Sequence, residues 1–386
     1  MKANKLMKNG IIITSRQSYN FDDFTSEQIK EFQKVANYFA DAIAVCQLKP
    51  KKEEAVLRFH PWVFSGAIQK VVLDKDYPFA EPQEGELVKI VDFNGQILGV
   101  GHYQIGSIAV RILAFGVDSL PADFFVQRIR AAYAMRQQLN LIRQDNNTYR
   151  LVHGEGDFLP GLVVDIYDET AVIQAHSVGM HRCRQQIAET IIKGVPKVKN
   201  GYYKSDDTLP FKAPVEGEKT GYLINSKLLP IGTTTLNSKL STLNSIEDIW
   251  ATENGLDFRI DWLRGQKTGF FIDQRENRAL LEHYSKGRNV LNMFCYTGGF
   301  SFYAMRGGAK LVHSVDSSAK AIDLTNRNVE LNFPGDPRHA AYAEDARIAP
   351  KTTFVLSGNL SGGFDFPQAK FVILSHGHSA LQSKKK

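Results

Sequence analysis

Beyond Gly255 the chain alternates short apolar strands with amphipathic helices, and that order leaves few folds open. Leu256, Phe258 and Ile260 fall on one side of an extended segment, as a half-buried strand requires. A helix is expected over Asp273–Tyr284, then a strand Val290–Phe294, a helix Phe300–Arg306, a strand Leu311–Val315 and a helix Ala319–Leu331. Strand and helix in turn imply a parallel sheet with right-handed crossovers.

Such a sheet binds its ligand outside the carboxyl ends of its strands. The first strand runs into Phe294-Cys295-Tyr296-Thr297-Gly298-Gly299-Phe300. Gly298 and Gly299 permit a sharp turn and close backbone approach, because they lack a Cβ. They lead into a helix N-terminus with free N–H groups. Asp316 ends the second strand, eighteen positions after Gly298. A carboxylate there accepts the two hydroxyls of an adenosyl ribose. Tyr-Thr-Gly-Gly-Phe-Ser is not Gly-x-Gly-x-x-Gly, which disfavours NAD. Asp345, where a third strand should end, is placed to meet the adenine amino group. Gly265 to Arg275 mixes cations, amides and two aromatics without periodicity and reads as a wall of the pocket, with Asp273 capping the helix that follows.

The remainder is less regular. Residues 1–45 read as a helical extension, with a capping box at Thr25 and Gln28 and an apolar stripe from Ile29 to Ile43. Residues 46–118 read as β-rich, with strand-like runs at Ala55–Leu57, Leu87–Val91, Ile97–Val100 and Ile108–Leu113 and a hairpin signal at Asn94-Gly95. Residues 119–221 read as α+β, with helices over Ala122–Leu141 and His181–Ile192 and a strand at Gly161–Ile166 after Leu159-Pro160. Residues 222–253 are rich in Ser, Thr and Asn and read as a low-complexity insertion. Residues 254–346 form the incomplete Rossmann-like part of this α/β chain. The tail, 347–386, holds two further strand-like runs at Thr353–Leu356 and Phe371–Leu374.

Composition narrows the setting. No apolar run approaches the length of a membrane span. Three scattered cysteines, Cys46, Cys183 and Cys295, suit neither a disulfide framework nor a metal cluster, and point to a reducing cytoplasm. The net charge of +6 favours phosphate backbones as partners.

Several strings now carry a resemblance. Asp261-Trp262-Leu263, Gly265 to Arg275, Asn277-Arg278, Asn292 to Ser301 and His313-Ser314-Val315-Asp316 resemble the bacterial 23S ribosomal RNA cytosine-C5 methyltransferases. Arg58 to Ile68 resembles the opening of that family's N-terminal PUA domain, and Gly154-Glu155-Gly156-Asp157 with Leu159-Pro160-Gly161-Leu162 and Asp165 resembles its middle domain. The resemblance implies a class I methyltransferase domain with S-adenosylmethionine held by Phe294, Tyr296, Thr297, Gly298, Gly299, Asp316, Ser317, Asp345, Gln274 and Arg275. It implies ribosomal RNA as the substrate. Lys49, Lys51, Lys52 and Arg58 then serve its phosphates, near Phe59, Trp62 and Phe64. Trp62 and Phe64 themselves are expected in the core.

The family also implies an Asp-Pro-Pro stretch after the fourth strand and a nucleophilic cysteine beyond the fifth. Neither follows Ala346, where Asp365-Phe366-Pro367 and His376-Gly377-His378 read as loops. The catalytic residues are therefore unassigned, and none of the three cysteines is expected to be the nucleophile. A loss of reading frame near Ala346, leaving an inactive enzyme or a non-catalytic RNA-binding protein, is the expectation that follows.

Overall fold

The computed structural model describes residues 42–75, 77–210, 217–226, 250–344 and 372–374. They fall into two compact units: residues 1–141 with 150–231, and residues 142–149 with 232–386.

The first unit opens with β1 (Ala44–Leu48), a one-turn helix α1 (Glu54–Leu57), β2 (Trp62–Phe64), β3 (Ile68–Leu73), β4 (Leu87–Val91), β5 (Ile97–Tyr103) and β6 (Ile108–Phe115). The six strands form one sheet in the order β2-β6-β5-β4-β1-β3. Only the β1–β4 pairing is parallel. Cys46, Leu48, Val56, Val88, Ile90 and Val110 fill its core. The Ala55–Leu57 run lies in α1, not in a strand: Leu57 and Arg58 donate to the carbonyls of Glu53 and Glu54. Three apolar residues are too few to set a period. At the β4–β5 hairpin, Gly95 adopts φ +89°, and Asp92 Oδ1 accepts the N–H groups of Asn94 and Gln96.

The same unit continues through α2 (Phe124–Gln138), β7 (Thr148–His153), β8 (Leu162–Tyr167), β9 (Thr170–Ala175), α3 (Val178–Arg182), α4 (Arg184–Gly194), β10 (Asn200–Lys204) and β11 (Thr220–Ile224). The first two residues of β7 are counted with the second unit. The sheet order is β11-β10-β9-β8-β7. Every residue of β9 is buried, so it shows no alternation. The helix expected at His181–Ile192 begins earlier and divides at Cys183. Ser177 Oγ accepts the Met180 N–H and caps the first piece.

The second unit contains the hairpin β12 (Trp250–Glu253) and β13 (Leu256–Arg259), then α5 (Arg275–Tyr284), β14 (Asn289–Met293), α6 (Gly299–Arg306), β15 (Leu311–Asp316), α7 (Ala319–Asn332), β16 (His339–Ala343) and β17 (Val372–Leu374). The last four strands form a parallel sheet in the order β16-β15-β14-β17. The tail therefore adds a fourth parallel strand, with Leu291 paired to Val372. Both ends of the expected insertion are strand as well, at Tyr222–Ile224 in β11 and at β12. The expected helix within 1–45, the run Thr353–Leu356, Asp345, Asp365-Phe366-Pro367 and His376-Gly377-His378 lie outside the described residues.

A segment with no sequence signature belongs to this unit. Residues 142–149 lie along the β12–β13 hairpin. Asn147 N–H donates to the Thr252 carbonyl at 3.0 Å, and its Oδ1 accepts the Thr252 N–H at 2.6 Å. Gly255 N–H donates to the Asp145 carbonyl at 2.7 Å, and Arg143 Nη2 to Asn254 Oδ1 at 2.7 Å.

Candidate cofactor site

The turn after β14 is tighter than two glycines explain. Phe294, Tyr296 and Gly298 all take left-handed backbone, at φ +57°, +50° and +80°, whereas Gly299 is already helical. For a bulky residue that conformation is strained, and such strain persists only where surroundings over-determine it. Here they do. Cys295 N–H donates to the Val315 carbonyl on the neighbouring strand at 3.0 Å. Helix α7 braces the other side: Thr325 Oγ1 donates to the Tyr296 carbonyl at 3.0 Å and Asn328 Nδ2 to the Thr297 carbonyl at 3.3 Å. A Cβ on Gly298 would come within 2.6 Å of Thr325 Cγ2 and 2.9 Å of the Phe302 ring. Gly298 is thus required by both conformation and space.

Asp316 closes β15 beside this turn. Its Oδ2 accepts the Tyr296 N–H at 2.9 Å and its Oδ1 accepts the Ser318 N–H at 2.9 Å. The side chain is half-buried, with Ser317 exposed next to it. Each carboxylate oxygen retains a second lone pair. Two adjacent hydroxyls, as on the ribose of S-adenosylmethionine, match that remaining capacity. The acceptor pair therefore fits an adenosyl ligand. The Phe294 ring, 41% exposed, offers an apolar face on the same turn.

The Gly265–Arg275 stretch packs against the turn. Tyr296 Oη donates to the Gly269 carbonyl and accepts the Gln266 N–H, both at 3.2 Å. Its ring meets Phe271 edge-on at 5.3 Å, and Lys267 Nζ lies 4.9 Å from the Phe271 centroid. Burial pushes the Tyr296 hydroxyl up to about 12, so it stays protonated as a donor. Gly265 must be glycine, since a Cβ would fall 2.2 Å from the Asp261 carbonyl.

One expectation is corrected. Asp273 does not cap α5: the chain enters through a 3-10 turn, Ile272–Gln274, so the helix starts at Arg275 without a side-chain cap. Gln274 Oε1 instead accepts Asn277 Nδ2 at 2.9 Å. Arg275 keeps two guanidinium nitrogens, Nε and Nη1, without a hydrogen bond among the described residues. It is buried, ion-paired to Glu253 at 3.5 Å and bonded to the Thr148 carbonyl at 3.3 Å. Glu253 also grips Arg278 through two bonds of 2.9 and 2.8 Å and accepts the Tyr303 hydroxyl at 2.9 Å. Arg278, 2% exposed, stacks on Phe270 with its guanidinium 4.6 Å from the ring centroid. This buried network was missed. Its signal was two arginines three apart on the face of α5 that also carries buried Leu281. A second buried chain of polar groups runs from Asn292 through Ser301 and Ser314 to His339, with contacts of 3.0, 2.7 and 2.9 Å.

The three cysteines are buried or nearly so. Desolvation raises Cys46 to about 12, Cys183 to about 11 and Cys295 to about 12. Cys295 sits 4.0 Å from Thr325 Oγ1. Among the described residues no group of His, Cys, Asp or Glu could hold a metal ion.

In the first unit, Lys49, Lys51, Lys52 and Arg58 are all exposed. Lys49 Nζ donates to the Gly66 carbonyl at 2.8 Å, and Arg58 lies 3.8 Å from Glu54. Phe59 is 68% exposed in left-handed backbone, at φ +62°. Phe64 is not core: it is 49% exposed, because β2 is an edge strand of only three residues. Trp62 is partly buried and donates from Nε1 to Glu155 Oε1 at 2.8 Å.

Comparison with known proteins agrees with this architecture. Residues 46–115 match a PUA-like domain, and residues 237–340 match an S-adenosylmethionine-dependent methyltransferase domain. A ribosomal RNA large subunit methyltransferase I from Tolumonas auensis is 37% identical over 287 residues, covering 74% of this chain and 66% of that protein. The protein of that name from Shewanella frigidimarina is 36% identical over 301 residues, covering 77% and 69%. The chain thus spans about two thirds of the length of these relatives. A solved structure from Streptococcus mutans, named as a SAM-dependent methyltransferase, shares the fold with a TM-score of 0.61 at 20% identity, over 80% of this chain and 72% of that one. A methyltransferase solved in complex with SAH gives the same TM-score over 80% and 71%. A domain pair of this kind, with 36% identity to the Shewanella protein, makes the chain a member of the S-adenosylmethionine-dependent ribosomal RNA large subunit methyltransferase family.

Proposed function

We propose that the protein transfers a methyl group from S-adenosylmethionine to C5 of a cytosine in large-subunit ribosomal RNA, in the reducing cytoplasm. The observation that carries the cofactor half of this reading is the Asp316 carboxylate, held by the Tyr296 and Ser318 N–H groups at the edge of a strained turn. Asp316 receives the ribose hydroxyls, with Ser317 beside it. Phe294, Tyr296, Thr297, Gly298 and Gly299 form the floor under the adenosyl and methionine parts, Gln274 stands on the facing wall, and Asp345 meets the adenine amino group. Arg275, ion-paired to Glu253, belongs to the same wall. Lys49, Lys51, Lys52 and Arg58 contact RNA phosphates. When bound, the cofactor supplies an electrophilic sulfonium methyl.

The test is calorimetric titration of S-adenosylmethionine into the purified chain and into Asp316→Asn. Binding to the first and marked weakening in the second supports the reading; no binding to either removes it. Methyl transfer to isolated large-subunit ribosomal RNA, followed by mapping of the modified base, tests the cytosine assignment.

One observation favours a second reading, a non-catalytic RNA-binding protein of the same family. Cytosine C5 is a weak nucleophile, and its attack is ordinarily prepared by adding a cysteine thiolate to C6. A thiolate requires a lowered pKa, and burial raises those of Cys46, Cys183 and Cys295 alike. Labelled methyl transfer that survives Cys295→Ala defeats this second reading.

A further inference from the structure

The loop after β7 is built with more care than a connection needs. It is a 3-10 turn, Gly154–Asp157, ending on Phe158. Asp157 is buried and takes both ends of the buried Arg136 guanidinium, with Nη2 at 2.8 Å from Oδ2. It also accepts the His153 N–H at 2.6 Å. Glu155 is fixed by Trp62 Nε1 at 2.8 Å and Arg111 Nη1 at 3.5 Å. Phe158 N–H donates to the Glu155 carbonyl at 3.1 Å, and Leu159 N–H to the Gly154 carbonyl at 3.0 Å.

The product of this bracing is an aromatic side chain held outward. Phe158 is 51% exposed and sits at φ +56°. A surface ring in left-handed backbone costs stability twice, through the conformation and through apolar exposure. Beside it stands Arg128, its guanidinium 5.1 Å from the Phe158 centroid and 5.4 Å from that of Phe124. Among the described residues no carboxylate pairs with Arg128, and its hydrogen bond to the Leu113 carbonyl is 3.5 Å long. Burial alone lowers its pKa from the usual range, with no acid nearby to offset that. The patch is thus a π-face next to a planar cation that has no counter-ion among the described residues. A base needs the first and a phosphate the second.

We propose that Phe158 and Arg128 form a second RNA contact in the first unit, separate from Lys49–Arg58. An unpaired base stacks on the Phe158 ring, and the neighbouring phosphate meets Arg128. The choice of RNA as ligand rests on the function proposed above. A duplex hides its base faces, so the patch selects a single-stranded segment.

The test uses the full chain and a short fluorescein-labelled oligoadenylate, followed by anisotropy, with the same length of RNA duplex as control. Phe158→Ala is expected to weaken oligoadenylate binding about 5- to 100-fold, the range found when a stacking ring is removed. Phe158→Trp should restore it. Phe158→Gly should weaken it as Ala does while keeping the fold, since glycine takes φ +56° without strain. Arg128→Lys should weaken binding and flatten its salt dependence less than Arg128→Ala does. Oligoadenylate binding that is absent, or that changes less than twofold in Phe158→Ala and Phe158→Gly alike, overturns the proposal. Duplex binding equally sensitive to Phe158 overturns it too. S-adenosylmethionine titration of the same variants separates the two readings. Intact cofactor binding with Phe158-independent RNA binding removes this contact alone. Lost cofactor binding with Phe158-dependent RNA binding removes only the methyltransferase assignment.

Discussion

Phe158 and Phe294 occupy nearly the same backbone conformation, φ +56° and +57°, on turns pinned by an aspartate that accepts a backbone N–H. The two aspartates are otherwise opposites. Asp157 is buried and saturated by Arg136, a partner on α2. Asp316 is half-buried, ends a parallel strand and takes two N–H groups but no cation among the described residues. A buried acid with its own guanidinium is scaffolding. An acid with spare lone pairs at the carboxyl edge of a parallel sheet is available to a ligand.

The contrast predicts a graded set of outcomes. The largest is in stability. Asp157→Ala strands Arg136 in the interior and should cost about 3–5 kcal/mol in urea unfolding, whereas Asp316→Ala should cost about 1 kcal/mol. Equal losses would mean that Asp316 is structural too.

Acid comes next. His102 is buried, its Nδ1 meets no acceptor, and a Cβ on Gly179 would come within 2.2 Å of its ring. Desolvation first, and the Arg182 charge second, hold its pKa down from 6.5 to about 4. The unfolded chain therefore takes up the proton first as pH falls. Stability present above pH 6.5 is lost progressively towards pH 4, by at most about 3 kcal/mol. His339 in the second unit is lowered in the same way, to about 4, by burial and then by His313. Denaturation midpoints across this range should show a shallower acid loss in His102→Gln. An unchanged slope excludes His102 as the source.

The third effect is on ligand affinity. Asp316→Asn should weaken S-adenosylmethionine binding about 10- to 100-fold, the worth of one or two hydrogen bonds to a charged acceptor. Thermal stability should barely move. Asp157→Asn should do the reverse, and calorimetry on both variants decides between them.

The smallest concerns the rings. Phe158→Gly and Phe294→Gly relieve left-handed strain and should leave stability within about 1 kcal/mol of the parent, or raise it. A large loss in either melting curve would mean that the ring is packed in solution rather than presented.

Much of this was legible because it was local. The alternation beyond Gly255, the turn at Gly298 and the acid at Asp316 are all read from neighbours in sequence, and all hold their places in the fold. Non-local pairing was invisible. Arg136 meets Asp157 twenty-one residues on, and Glu253 meets Arg278 across twenty-five. Arg275 shares that acid, and nothing in its sequence neighbours names a partner twenty-two residues away. Strain on Phe294 and Tyr296 was hidden because sequence rules assign left-handed backbone to glycine. Phe64 was misjudged because nothing in three apolar residues says that their strand lies at a sheet edge.

Residues 142–149 carry a consequence for synthesis and dissection. They leave the ribosome long before the hairpin they bond to, since Asn147 must wait for Thr252. Chain emerges at roughly 5–20 residues per second, so this segment of the second unit stays unsatisfied for several seconds. A fragment beginning at residue 232 would never acquire it, leaving the Thr252, Asn254 and Gly255 N–H groups without their partners. The gene order and the unit boundaries do not coincide, and any split of the protein into separately expressed halves has to carry those eight residues across.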